Sequence, residues 1–133
     1  MVIDKELIDG LFNLAKENPR KRVNYDMRTS PEDGSQRMLN AMLPGTEVAV
    51  HRHPNSNENV ILITGKMYEI LYEVEDGQLV ETERLYLCPA EGKYGCQVPK
   101  GVWHTVEVIE PSVIYEAKDG KYGEDGSETY SKV

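Results

Sequence analysis

The chain of 133 residues contains only three histidines, and their spacing is the strongest chemical signal in the sequence. His51 and His53 stand two positions apart, whereas His104 lies in the second half of the chain. Residues i and i+2 of a β-strand point to the same face, roughly 6.6 Å apart, so two imidazoles at this spacing can reach one metal ion. A histidine pair on the solvent-facing side of an ordinary strand has the same spacing, and the pair alone leaves both interpretations open.

The residues around the histidines favour the metal interpretation. Proline and small polar residues at 54–57 predict a turn, after which Glu58 opens the next strand beside the histidine pair. Pro99 and Gly101 predict a second turn, which leads His104 into a later strand. A rolled sheet can place that strand opposite the first pair, in an apolar-lined pocket. We therefore predict one divalent metal ion per chain, either zinc, iron, manganese or nickel. The predicted ligands are His51, His53, Glu58 and His104.

One helix followed by about nine short strands is predicted from the spacing of apolar residues. Helical spacing extends over residues 4–17, with Asp4 as the N-cap and a stop before Pro19. From residue 23 onward the pattern has period two and turn residues recur every few positions, which is typical of an antiparallel sandwich or barrel. The third of these strands is predicted over residues 46–53. Turns are predicted at Gly65–Lys66, Asp76–Gly77 and Pro111.

Composition and charge narrow the class of protein. Hydrophobic residues make up 39% and charged residues 29%, which is typical of a globular domain. The net charge of −8 repels phosphate backbones and argues against nucleic-acid binding. Because no apolar run could span a bilayer and no secretory signal stands at the N-terminus, we expect a cytoplasmic protein without a membrane segment. In that compartment Cys88 and Cys96 are expected to stay free thiols.

Two motifs around the histidines resemble the signature of the cupins. The first cupin motif, G-x5-H-x-H-x3-4-E-x6-G, matches the sequence from Gly45 to Gly65 at every fixed position. The core of the second motif, P-x-G-x2-H, matches from Pro99 to His104, whereas its flanking glycine and final asparagine are not matched. Over residues 1–122, segments such as QRMLNAMLPGTEVAVHRH and VIYEAKDGKY are similar to the WbuC-type cupin fold metalloproteins.

The resemblance implies an all-β double-stranded β-helix, the cupin jelly roll, with a short N-terminal α-helix and one divalent metal inside. Residues 1–20 are then a helix packing on the barrel, residues 21–122 the barrel, and residues 123–133 a polar C-terminal tail. The polar, glycine-rich sequence from Asp119 onward predicts that this end of the chain frays. The resemblance also implies the same four metal ligands, a homodimer, and a link to bacterial surface-polysaccharide metabolism.

Three imidazoles and one carboxylate leave open positions on a metal with five or six ligands, which indicates a catalytic or ligand-binding metal. The first hypothesis is an isomerase or epimerase acting on a sugar or sugar-derived metabolite, in which the metal polarises a carbonyl and a nearby base moves a proton. The alternatives are a non-catalytic module that binds a sugar or carboxylate, an Fe(II)-dependent dioxygenase, and a purely structural metal. Candidate catalytic residues are Arg37, Asn40, Tyr115 and Glu116, and candidate substrate-binding residues are Arg22, Asn24, Arg37 and Tyr68.

These candidate residues also have ordinary structural interpretations. Arg37 fits a solvated strand position, Asn40 fits a turn or a bond to the backbone, and Tyr68 and Tyr115 fit the core of a barrel. The basic cluster at residues 20–22 fits a solvated turn after the helix, or an anion site for a phosphate or carboxylate substrate. An enzyme differs from a binding module in needing a titratable group near the metal besides the ligands.

Overall fold

The computed structural model describes residues 1–131 and consists of one N-terminal helix and a large rolled sheet. The last two residues of the predicted tail, Lys132 and Val133, lie outside the described residues. Helix α1 spans Lys5–Glu17, and a short 3-10 helix spans Pro89–Glu91. The strands are β1 (Arg22–Asp26), β2 (Ser35–Met42), β3 (His51–Arg52), β4 (Glu58–Glu75), β5 (Gln78–Leu87), β6 (Gly95–Val98), β7 (Trp103–Asp119) and β8 (Glu128–Thr129).

The strands of residues 1–131 pair in antiparallel fashion around two long central strands. β4 pairs with β5, β6 and β7, and β7 pairs with β2, β3 and β4, so these two strands join the sheet into one unit. β1 extends the sheet beyond β2, and β8 extends it beyond β3. The predicted hairpin at Asp76–Gly77 connects β4 to β5, and both of its residues have positive φ.

Helix α1 packs on the outer face of the sheet. The Asp4 side chain accepts a backbone N–H of the first turn at 3.0 Å, and the chain becomes extended at Asn18. Leu11 packs in a cluster with Leu39 and Ala41 of β2, which anchors the helix. The predicted helix, its N-cap and its end are therefore confirmed. No helix of the described residues is long and apolar enough to cross a membrane.

β4 and β7 run without interruption through the positions where the sequence predicts turns, at Gly65–Lys66 and Pro111. The register between them shifts repeatedly over residues 62–67 of β4, so both strands bend without ending. Gly65 has φ +112°, and a Cβ atom there would lie 2.3 Å from the Ser112 hydroxyl oxygen, so only glycine fits this close crossing. The two predicted turns are wrong because these turn-forming residues build β-bulges instead.

β3 is shorter than predicted, and the C-terminal segment holds it in place. β3 covers His51–Arg52 instead of residues 46–53, and it lies between β7 and β8. The backbone N–H of Tyr130 also donates to the carbonyl of Val50 at 2.8 Å. Backbone pairing therefore ties residues 128–130 to the sheet, contrary to the predicted fraying of this end of the chain.

Candidate metal centre

The three imidazole rings meet where β3 pairs with β7. His51 lies opposite His104 in the antiparallel register, and His53 follows two residues after His51. The ring centroids of His51 and His104 are 4.2 Å apart, those of His51 and His53 are 5.1 Å apart, and those of His53 and His104 are 5.3 Å apart. One ring nitrogen of each histidine lies within 4.8 Å of a ring nitrogen of the other two. Strand pairing thus gathers all three histidines of the chain into one cluster.

Backbone carbonyl groups select the tautomer of two of these rings. Nδ1 of His51 lies 2.8 Å from the carbonyl oxygen of Ala49, and Nδ1 of His104 lies 2.9 Å from the carbonyl oxygen of Val102. Because a carbonyl oxygen can only accept, both Nδ1 atoms carry the proton and both Nε2 atoms carry a lone pair. This is the tautomer in which a histidine binds a metal through Nε2.

Glu58 brings a carboxylate into the same space. Its Oε2 lies 3.0 Å from Nε2 of His53, and its Oε1 lies 3.6 Å from Nε2 of His104. Both of these nitrogens are buried without a hydrogen-bond partner among the described residues. Lone pairs on nitrogen and on a carboxylate repel each other unless a cation lies between them. Three nitrogen donors and one oxygen donor in this arrangement therefore fit a divalent metal ion.

The ionisation of the cluster matches this donor set. Burial and the neighbouring His104 lower the pKa of His51 to about 4, so its ring is neutral at pH 7. Burial alone would raise the pKa of Glu58, but hydrogen bonds that His104 and His53 donate when their Nε2 atoms are protonated, together with the ammonium of Lys118, hold it well below its usual range in the metal-free protein. The Lys118 nitrogen lies 3.1 Å from Oε2 of Glu58. Neutral imidazoles and ionised carboxylates are the forms that bind metal.

The cluster lines one cavity with a volume of about 200 Å³. Four of the predicted catalytic or substrate-binding residues, Arg22, Asn24, Asn40 and Glu116, line the same cavity. The Asn40 side-chain amide donates to Oε1 of Glu116 at 2.6 Å, so two of these candidates also bind each other. The other lining residues are Arg20, Met42, Val48, Glu69, Val106, Ile114 and Lys118.

Three of the predicted residues, Arg37, Tyr68 and Tyr115, lie elsewhere in the described structure. Arg37 forms an ion pair with Asp33, with 2.7 Å between its Nη2 and the carboxylate, and it lines a separate cavity of about 590 Å³ together with Tyr115. Tyr68 packs against the ring of Tyr86, with 5.4 Å between the centroids. These three residues do not line the cavity of the histidine cluster, because strand alternation points their side chains away from it.

Glu69 is a buried residue of the cavity that the sequence analysis misses. Its side chain is 1% exposed, and its Oε2 has no hydrogen-bond partner among residues 1–131. Donor atoms of Glu69, Glu58 and His104 all lie within 4.8 Å of one another. Burial, together with the Glu58 and Glu116 carboxylates, holds the pKa of Glu69 well above its usual range. The bulges around Gly65 change which residues of β4 point inward, and the Glu69 side chain points into the cavity for this reason. A regular alternation counted from Glu58 would place Glu69 on the outer face.

Glu116 and Lys118 lie on the same face of β7 as His104, because even-numbered residues of β7 point into the cavity. Burial and the Glu58 carboxylate raise the pKa of Glu116 to about 7, although Lys118, His104 and the hydrogen bond from Asn40 act in the opposite direction. Glu116 is therefore a carboxyl group that exchanges its proton near neutral pH. Alternation counted from His104 would have identified Lys118 as well as Glu116.

Solved structures of double-stranded β-helix proteins superpose on this chain. An uncharacterized conserved protein with such a domain from Klebsiella pneumoniae shares 16% identity, with a TM-score of 0.57 over 94% of this chain and 95% of that one. Capsular polysaccharide assembling protein CapF from Staphylococcus aureus shares 19% identity, with a TM-score of 0.65 over 86% of this chain and 33% of CapF. Oxalate oxidase in complex with glycolate shares 12% identity, with a TM-score of 0.61 over 84% of this chain and 56% of the oxidase. The chain therefore has the double-stranded β-helix fold of the cupins, which confirms the predicted fold class.

A family model identifies the group of sequences to which the chain belongs. Residues 3–85 match the family described as Domain of unknown function (DUF6016), and this match covers more than half of the 133 residues. The chain belongs to this family. No curated protein matches the sequence. The chain spans about half the length of the oxalate oxidase and a third of CapF, so their activities do not transfer to it with the fold.

The raised pKa of Glu116 predicts how the stability of the metal-free protein depends on pH. Between pH 4.5 and 7 the folded protein keeps a proton on Glu116 that the unfolded chain has lost, so stability falls as pH rises through this window. Glu116→Gln stays neutral, and we expect it to be about 3 kcal/mol more stable than the wild type at pH 8 and similar at pH 4.5.

Urea denaturation in the presence of a chelator measures this difference at both pH values. Glu73→Gln, at an exposed position of β4, is the matched control and should keep the wild-type pH profile. A stability difference between Glu116→Gln and the wild type that is the same at pH 4.5 and pH 8 would show that folding does not raise the pKa of Glu116.

Proposed function

We propose that this chain is a metal-dependent enzyme that moves a proton on a small anionic metabolite, as a sugar isomerase or epimerase does. The observation that carries the proposal is that two carboxyl groups beyond the metal-binding cluster, Glu69 and Glu116, line the same cavity as that cluster. A binding module or a structural metal site has no need of such groups, whereas proton transfer requires one.

His51, His53, His104 and Glu58 would hold one divalent ion, and their burial and protonation suit that role. The ion would supply a Lewis acid that polarises a carbonyl group or a pair of hydroxyl groups of the substrate. Lys118 orients Glu58 through the bond to Oε2. Mixed nitrogen and oxygen donors without a cysteine suit iron, manganese, nickel and zinc alike.

Glu116 is the proton carrier in this proposal. Its pKa of about 7 leaves it partly ionised at neutral pH, where a general base is most efficient. Asn40 donates to Oε1 of Glu116, which orients the carboxyl group and leaves Oε2 for the substrate. The base removes a proton from the carbon next to a carbonyl and returns it to the same or the neighbouring carbon, so the reaction needs no external oxidant or reductant. The neutral form of Glu69 can donate a hydrogen bond to an oxygen in the cavity.

Two arginines of the cavity favour an anionic substrate. Arg20 and Arg22 both line the cavity, and burial together with the charge of Arg20 lowers the pKa of Arg22. Two guanidinium groups that line one cavity suit a phosphate or carboxylate ligand, because guanidinium binds such groups in bidentate fashion. The volume of about 200 Å³ suits a small metabolite and is below the range of drug-sized pockets.

A role in the metabolism of bacterial surface polysaccharides belongs to this proposal. Its support is the sequence resemblance to WbuC-type cupins and the structural likeness to CapF, which is described as a capsular polysaccharide assembling protein. Cys88 and Cys96, both within the described residues, are free thiols, which supports a location in the reducing cytoplasm. A homodimer also stays a prediction from the resemblance.

Elemental analysis of protein purified without added metal tests the metal centre. We expect about one divalent ion per chain in the wild type, and loss of that ion in His51→Ala and in His104→Ala, because each variant removes one of four ligands. Tyr68→Phe, which changes an aromatic residue outside the cavity, is the control and should retain the ion. Metal content in the His104→Ala variant equal to that of the wild type would refute the proposed ligand set.

Deuterium incorporation from heavy water tests the proposed reaction. Metal-loaded protein is incubated with monosaccharides and with their phosphorylated and carboxylated derivatives, and mass spectrometry then detects deuterium at carbon. We expect incorporation into a phosphorylated or carboxylated probe, and a loss of about 10²- to 10⁴-fold in rate for Glu116→Gln, because the base is missing.

Two variants separate catalysis from binding in this experiment. Glu73→Gln should exchange as fast as the wild type, whereas Arg22→Gln should raise KM for anionic probes more than for their neutral parents. A thermal shift would show that an anionic probe binds. If such a probe binds but no probe of the panel gains deuterium, the proposed proton transfer is refuted and the binding module is favoured.

A further inference from the structure

The C-terminal segment contacts the histidine cluster directly. The hydroxyl oxygen of Ser127 lies 2.7 Å from Nδ1 of His53, across 74 residues of sequence. The ring of His53 is 7% exposed, whereas its bonding partner Ser127 lies at an exposed position of the C-terminal segment, so the bond joins the buried cluster to the surface. Ser127 directly precedes β8, which begins at Glu128 and pairs with β3.

His53 differs from the other two histidines in how its Nδ1 atom is held. His51 and His104 each bond to a backbone carbonyl two residues earlier on their own segment, at Ala49 and Val102. Because the acceptors of these two bonds are backbone carbonyl groups, no side-chain substitution at Ala49 or Val102 removes them. The ring of His53 depends instead on one side chain, which a distant part of the chain supplies.

The position of Ser127 is itself fixed by several bonds. The carboxylate of Asp125 accepts the backbone N–H of Ser127 at 3.0 Å and the side-chain amide of Gln36 at 2.7 Å. The side-chain amide of Asn55 donates to the backbone carbonyl of Asp125 at 3.0 Å. This turn is therefore tied both to β2 and to the loop that follows the histidine pair, which holds the hydroxyl against the ring.

We propose that Ser127 is a positioning residue for His53, whose hydroxyl accepts the Nδ1 proton and so directs the lone pair of Nε2 toward the metal. The proposal rests on the proposed metal centre, because it assigns His53 the same tautomer that the carbonyl groups impose on His51 and His104. Hydrogen bonds to the second nitrogen of a metal-binding histidine fix its orientation, and their loss weakens metal binding about 10- to 100-fold.

Two measurements test this proposal, with Zn(II) as the probe. Chelator competition gives the affinity, and we expect Ser127→Ala to bind Zn(II) about 10- to 100-fold more weakly than the wild type. Ser127→Thr keeps a hydroxyl and should recover most of the affinity. Thr129→Ala, on the exposed part of the same segment, is the matched control and should bind like the wild type.

Nitrogen-15 NMR of the histidine rings in the Zn(II)-loaded protein gives a second readout that does not depend on affinity. In the wild type we expect a His53 Nδ1 proton that exchanges slowly with water because the Ser127 hydroxyl accepts it, and faster exchange of this proton in Ser127→Ala. Wild-type affinity in Ser127→Ala, or unchanged exchange of the His53 Nδ1 proton in that variant, would overturn the role of Ser127. A wild-type protein that binds no Zn(II) or other divalent ion would instead refute the metal centre.

Discussion

The burial of the Glu58 carboxylate is the constraint on which the rest of the site depends. A carboxylate that is only 3% exposed is strongly unfavourable unless opposite charge and hydrogen bonds compensate it. Lys118 supplies one positive charge, whereas the nearby nitrogens of His53 and His104 are buried acceptors without a partner in residues 1–131. A divalent cation satisfies all of these groups at once, so one ion would explain both the burial of Glu58 and the tautomers of His51 and His104.

The two central strands place the groups around this carboxylate. β7 keeps one alternation along its whole length, so His104, Glu116 and Lys118 all face the cavity. β4 does not, because Leu62 pairs with Ile114 and Met67 pairs with Val108, so five positions on β4 correspond to six on β7. The inward face of β4 therefore changes from even-numbered to odd-numbered residues, and this change brings Glu69 beside Glu58.

Local patterns in the sequence predict the parts of this structure that depend on neighbouring residues. The N-cap at Asp4, the period-two strands and the spacing of His51 and His53 each follow from a few adjacent positions, and the structure brings the four predicted ligand side chains together. The bulges around Gly65 and the pairing of β8 with β3 depend on contacts between distant segments. For that reason no local pattern points to Glu69 or Ser127, and Tyr68, a predicted substrate-binding residue, lies outside the cavity.

Anomalous diffraction at the absorption edge of the bound metal, from crystals of the protein purified without a chelator, tests the central claim most directly. We expect one anomalous peak per chain, about 2.0–2.2 Å from Nε2 of His51, His53 and His104 and from one carboxylate oxygen of Glu58. A peak at any other position, or a fully ordered cluster without a peak after metal has been supplied, would contradict it.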